Sequence, residues 1–169
     1  MSEPKIDLRS RLLRDSVRTI DDAASASAIL LRFSDAVDGR LPAQVARLFA
    51  ADGIFCPGDK QIFGRTSIEA FYTSRLSDPR RSTRHLWSNV QHRLTSDVEA
   101  QIEATLTVYA FEPQVSETHL QLRLGNVRCR CILDLEDGWV FSEHLYVRAF
   151  AVHLPLNLPI DSAQEKPLP

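Results

Sequence analysis

Little in this 169-residue chain points to a membrane, an oxidising compartment or a polyanion. Its apolar runs are short: none approaches the roughly 18 to 20 residues that a membrane span needs. Met1 to Ser10 is polar and lacks the apolar core of a signal peptide, so a cytoplasmic location with no membrane partner is expected. The three cysteines, Cys56, Cys129 and Cys131, are an odd number without the spacing of a secreted disulfide framework, and they read as reduced thiols. Cys129 and Cys131 stand two apart on an expected strand, side by side on one face. That is poor geometry for a disulfide and half of a zinc site, so no metal centre is expected. Six glycines exclude a collagenous or low-complexity chain. Positive charge is not in excess either: 20 Lys and Arg are interspersed with 22 Asp and Glu for a net charge of -2, and without a basic stripe nucleic acid is excluded as a partner.

What is present is the composition of an ordinary globular protein, 44% hydrophobic and 25% charged, with enough length for one core. Residues 1–18 read as an arm, 19–153 as the domain, and 154–169, with Pro155, Pro159, Pro167 and Pro169, as a tail that cannot form a regular helix or inner strand. Its alternating Leu154, Leu156, Leu158 and Ile160 suggest a segment laid across a neighbouring subunit. Thr19 with Asp22 opens a helical pattern in which Ala26, Leu30, Phe33 and Val37 share a face until Gly39 stops it. Pro42 suits the first position of a second helix bearing Val45, Leu48 and Phe49. A short strand, Ile54 to Cys56, and a hairpin ending at Gly64 follow. Thr66 with Glu69 then predicts a capping box for a third helix, which Pro79 closes.

From Thr83 onward the pattern changes to long strands rich in β-branched and aromatic residues, Thr83 to Leu94, Val98 to Phe111, His119 to Leu135 and Trp139 to Phe150, separated by polar turns. Helices gathered before such a meander cover one of its faces. The fold class predicted is therefore α+β: a strongly curved antiparallel sheet packed on N-terminal helices as a cone around a pocket. The outer face of such a sheet is apolar, and a homodimer or homotrimer is expected to cover it.

The order of elements and five strings, Phe33-Ser-Asp-Ala-Val-Asp-Gly-Arg40, Leu48-Phe-Ala-Ala-Asp-Gly53, Phe63-Gly-Arg-Thr-Ser-Ile68, Thr83-Arg-His-Leu-Trp-Ser-Asn-Val90 and Glu136-Asp-Gly-Trp-Val140, resemble the SnoaL-like branch of the nuclear transport factor 2-like superfamily over about residues 27 to 152. The string around His85 and the closing Leu154-Pro-Leu-Asn-Leu-Pro-Ile160 are also similar to β subunits of ring-hydroxylating dioxygenases, members of the same superfamily. The resemblance implies the cone and an oligomer. It does not fix a function, because this fold carries dehydratases, isomerases, cyclases, hydrolases and proteins without catalysis.

By local string, Asp38 and His85 match the acidic residue and the histidine that dehydratases of this superfamily use together. Dehydration or isomerisation beside a carbonyl needs a group that takes a proton from carbon and returns one to oxygen, and a histidine oriented by a carboxylate suits that task. Asp38 also stands at a helix C-terminus, where the macrodipole disfavours its charge unless a cationic partner is near. The tyrosines of the dehydratase pattern are missing, with Val37, Phe33, Phe55 or Cys56 in their places, and Tyr109 is the phenol expected near the pocket. If His85 faces inward, strand parity turns Trp87 and Asn89 inward with it, and Phe33, Phe55, Phe71 and Trp87 suggest an apolar ligand. On the last strand Trp139, Phe141 and Glu143 alternate with Val140, Ser142 and His144, and parity alone leaves both faces open. The leading expectation is a small-molecule lyase or isomerase, a cofactor-free dehydratase-like enzyme acting on a hydrophobic hydroxy-carbonyl compound. The alternative is a noncatalytic ligand-binding protein or a β-subunit-like partner of a larger oxygenase subunit.

Overall fold

The computed structural model describes residues 26–156; the expected arm, the Thr19 helix start and the tail past Leu156 lie outside the described residues. Helices α1 (Ile29–Asp38) and α2 (Pro42–Arg47) lead into β1 (Phe49–Pro57), the two-residue β2 (Ile62–Phe63) and α3 (Gly64–Arg75). Four long strands follow: β3 (Ser82–Ser96), β4 (Glu99–Phe111), β5 (His119–Asp134) and β6 (Gly138–Pro155). The chain is α+β, as its patterning predicts.

Packing, rather than capping, holds the helices. α1 has no side-chain cap, yet it buries Ile29, Leu30, Phe33, Ala36 and Val37 along one face. Each large apolar side chain so buried contributes about 1.5–3 kcal/mol, more than a missing cap costs. The predicted Thr66 and Glu69 box does not form: α3 starts three residues earlier, at Gly64, whose φ of 76° suits glycine, with Phe63 as an uncapped N-cap. Its buried residues are Ile68 and Tyr72.

The six strands lie in the order β2-β1-β6-β5-β4-β3. β3 to β6 form the expected antiparallel meander, but β1 runs parallel to β6, so the sheet is mixed rather than wholly antiparallel. A parallel neighbour requires a crossover, and α3 with the meander supplies it. The inner face presents Ala100, Ile102, Ala104, Leu106, Val108 and Ala110 of β4 in strict alternation, with Val127, Cys129 and Cys131 of β5 beside them.

Parity breaks at defined places. Register shifts occur between Ser88 and Gln91 of β3, and opposite Leu124/Gly125 and Arg130/Cys131 of β5. Each is a bulge that inserts a residue and turns the strand. Leu154 and Pro155 do not begin a separate tail: they close β6 against Leu120 and His119 of the same chain.

Candidate active site

A cavity of about 360 Å³ opens between α1, α3, β1 and the inner face of β3 to β6. That volume lies within the range of small-molecule sites. Phe33, Val37, Phe55, Phe71, Leu106 and Val108 supply its apolar wall.

Asp38, the last residue of α1, meets β3 at three points. The Thr83 hydroxyl donates to Oδ1 at 2.8 Å, the His85 backbone N–H donates to Oδ2 at 2.9 Å, and the His85 ring Nδ1 stands 2.6 Å from Oδ1. Burial pushes the Asp38 carboxyl up, but the hydrogen bond and charge of the His85 ring, with the backbone and Thr83 donors, outweigh it and hold the carboxyl below its ordinary value. These donors also offset the unfavourable C-terminal end of the helix dipole. With Nδ1 committed to Asp38, Nε2 is the ring nitrogen of His85 without a hydrogen-bond partner among the described residues, and His85 lines the cavity.

Trp87 takes the inward face of β3 but not the cavity wall. Its indole N–H donates to Ser34 Oγ at 2.5 Å, and Ser34 in turn donates to the Leu30 carbonyl at 3.1 Å, so Trp87 fastens β3 to α1. Asn89 is not brought to the site: it occupies the β3 bulge with φ 51°, is exposed, and its amide reaches Thr105 Oγ1 at 3.4 Å. Tyr109 also misses the cavity. It faces Arg84 and Leu122 on the outer side of the sheet and is 37% exposed, because the alternation of β4 turns Val108 and Ala110 inward.

Residues that the sequence reading did not single out complete the site. A bulge at Ser142 lets both Phe141 and His144 face inward, which strict alternation forbids. His144 is buried, stacked on Phe33 with ring centroids 4.9 Å apart. Neither of its ring nitrogens has a hydrogen-bond partner among the described residues, and the same is true of the buried Tyr146 hydroxyl. Burial pushes the His144 imidazole down to about 4, so it is neutral at pH 7. Burial pushes the Tyr146 phenol up, which keeps it protonated. Both residues line the cavity, and buried polar groups without partners cost about 1–3 kcal/mol each unless something binds to them. The tyrosine ring lies over Gly125, where any Cβ would come within 2.5 Å of it.

Part of the lining is cationic. Glu112, buried just beyond β4, accepts from Arg75 at 3.0 Å, from Arg81 Nε at 3.1 Å and from Arg123. Arg40, itself at φ 62°, donates to the carbonyls of Leu76, Asp78, Pro79 and Arg81 and thereby fixes the loop that carries Arg81. Among the described residues no cluster of three or more His, Cys, Asp or Glu is placed to hold a metal ion, and no helix is long and apolar enough to cross a membrane.

No curated protein matches the chain at a significant level. Solved structures do. A candidate aromatic ring hydroxylase from Novosphingobium aromaticivorans is 15% identical, with 80% of this chain and 94% of that one covered and a TM-score of 0.69. A candidate scytalone dehydratase from the same organism is 16% identical over 92% and 99%, with a TM-score of 0.68. A type 2 hexachlorocyclohexane dehydrochlorinase is 15% identical over 83% and 89%, with a TM-score of 0.63. At these identities the likeness establishes the fold. The family profile described as the SnoaL-like domain matches residues 18–144, most of the chain; the protein belongs to the SnoaL-like domain family.

Proposed function

We propose that the protein is a cofactor-free lyase or isomerase of the dehydratase type, acting on a hydrophobic hydroxy-carbonyl compound, with His85 as the proton-transferring group and Asp38 as its positioning partner. The observation that carries this reading is the orientation of one ring: Asp38 holds Nδ1 of His85 at 2.6 Å, which directs Nε2 to the cavity as a base. In a dehydration, Nε2 takes the proton from the carbon beside the carbonyl, and the C–H electron pair moves toward that carbonyl. Asp38 stabilises the imidazolium so formed. The pair then becomes the new C=C bond as the C–O bond of the β-hydroxyl breaks, and the same Nε2 proton passes to the departing oxygen as water. The Tyr146 hydroxyl, lacking a partner among the described residues, is a suitable donor to the carbonyl oxygen as it gains charge. The candidate scytalone dehydratase and the dehydrochlorinase share the fold, and both names denote eliminations.

The test is direct. A panel of aryl β-hydroxy ketones is followed by the ultraviolet absorbance of the conjugated enone. Turnover of at least one compound is expected, falling by about 10²–10⁴-fold in His85→Ala. Equal rates in wild type and His85→Ala would overturn the assignment. Binding without turnover across the panel would favour the noncatalytic alternative.

A further inference from the structure

The charge of the cavity differs from that of the chain. The whole sequence carries a net charge of -2, yet Lys60, Arg75, Arg81, Arg123 and Arg148 line the cavity, and no carboxylate is among its lining residues. Three of these cations converge. Arg75 comes from the last turn of α3, Arg81 from the residue before β3 and Arg123 from β5, and all three meet on Glu112. One carboxylate against three guanidiniums leaves two positive charges uncompensated. The Arg81 side chain is 3% exposed and that of Arg123 18%, so bulk water does not screen them as it would at a surface.

The hydrogen bonds formed are also incomplete. A guanidinium offers five N–H donors. Arg75 uses only Nη2, toward Glu112, and Arg123 uses Nε and Nη2, toward Gln121 and Glu112; Nη1 of each, and Nε of Arg75, have no partner among the described residues. Burial, and after it the charge of Arg81, lower the proton affinity of Arg75 below the ordinary guanidinium value despite Glu112. Glu112, shared among three guanidiniums, does not offset the burial and the neighbouring positive charge. Glu112 itself demonstrates that a carboxylate fits between these forks, and planar guanidinium pairs suit a second one.

Distance decides what such a ligand looks like. His85 faces Val108 across one strand spacing, and Val108 faces Arg123 across the next. Two spacings place the Arg123 backbone roughly 10 Å from that of His85. Arg81, four residues before His85, lies roughly 13 Å along the strand from it by the same geometry. A compound that touches both the His85 ring and the arginine pole must therefore span several ångströms, and the apolar lining available to it includes Phe33, Phe55, Phe71 and Val108.

From this we infer that the ligand of the cavity is a ring-bearing carboxylic acid, its carboxylate seated on Arg75, Arg81 and Arg123 and its reacting carbons turned toward His85. The inference rests on the proposed use of the cavity as the substrate site, but not on the proton transfer itself.

A matched pair of probes tests it: 2-naphthoate and the neutral 2-naphthamide, titrated calorimetrically at low and moderate salt. The expected result is at least tenfold tighter binding of naphthoate, weakening with salt. Arg75→Gln, whose side chain is 36% exposed and makes one bond to Glu112, should weaken naphthoate several-fold and leave naphthamide unchanged. Arg123→Gln should do so more strongly; if it fails to fold, the wild-type pair and Arg75→Gln still decide. Equal affinities, tighter binding of the amide, or no binding of either probe at millimolar concentration would overturn the inference. His85→Ala separates it from the catalytic reading. A carboxylate preference kept in that variant together with undiminished turnover would remove the proton-transfer role alone. Equal probe affinities with His85-dependent turnover would remove the anionic ligand alone.

Discussion

Two histidines approach Phe33 in this cavity, and their surroundings are opposite. His85 meets the Phe33 ring edge-on at 6.4 Å and is tied to Asp38 through both its ring and its backbone. His144 stacks on the same ring at 4.9 Å, among Phe49, Phe55 and Phe141, with no partner for either nitrogen among the described residues. In the proposed reaction the first takes up the proton, with the Asp38 carboxylate beside its ring. The second resists charging, chiefly because burial removes the water that would solvate its charge. One side-chain type thus meets a carboxylate in one place and a dry aromatic setting in the other. The helix C-terminus and β3 build the first; a bulge in β6 builds the second.

The strongest way to break this comparison is to unmake the pair. Asp38→Asn should leave the fold intact at neutral pH and lower activity on a substrate of the cavity by about 10²–10⁴-fold. Adding His85→Ala should cost little more, since groups that act as a unit are non-additive. Independent, multiplying losses would count against a coupled pair. The folded Asp38 carboxyl lies below its ordinary value, so its contribution to stability is fully present above about pH 4 and is lost as pH falls through the lowered value.

His144 gives an effect of opposite origin and a different pH window. Its ordinary value is about 6.5 and its folded value about 4, so between these the unfolded chain takes up a proton that the folded chain refuses. Stability therefore falls as pH is lowered through that window, by about 3 kcal/mol at its foot. His144→Phe keeps the stack on Phe33 and removes the titration. Urea midpoints at pH 7 and pH 4.5 should be well separated in the wild type and closer together in the variant. An unchanged separation would show that His144 is not the group refusing the proton. Asp38 and Glu112 are both held below their ordinary values, so they act mainly below this window.

Which parts of this site a sequence can carry follows from how each is built. The α1 face, its stop at Gly39 and the four long strands rest on periodicity and turn chemistry, which are local. The three phenylalanines of the wall were legible because they lie on regular stretches with an apolar pattern, whereas Asp38 and His85 were marked by the local strings that resemble those of dehydratases. Asn89 and His144 were not, because bulges in β3 and β6 shift parity at places that no composition signal announces. Tyr109 sits on a strand with unbroken alternation, and its outward position follows once Val108 and Ala110 are known to face the core. The arginine pole draws on residues 75, 81, 112 and 123 from four segments, and each alone reads as an ordinary solvated charge. The parallel pairing of β1 with β6 is equally non-local: it depends on where the meander returns, not on either strand's residues.

The mildest perturbation tests the His144 side of the cavity without touching the Asp38 side. Gly125 pairs with Leu106 on β4 and Arg148 on β6, and the Tyr146 ring lies where its Cβ would be. A methyl there would stand 2.5 Å from both Tyr146 Cε2 and the Val147 carbonyl oxygen, closer than real Cβ atoms come. The ring can swing away, but the carbonyl belongs to the backbone and must shift with the strand. Gly125→Ala should therefore cost about 1–3 kcal/mol, the usual range for overpacking, and should carry the Tyr146 hydroxyl from its place. If that hydroxyl steadies the substrate oxygen, kcat falls while the Asp38 and His85 pair keeps its geometry. A Tyr146→Phe change, which removes the hydroxyl and keeps the ring over Gly125, should reproduce the loss in kcat without the loss in stability. Activity unchanged in Tyr146→Phe would assign Tyr146 to packing alone, and the catalytic chemistry of the cavity would then belong to the Asp38 and His85 side.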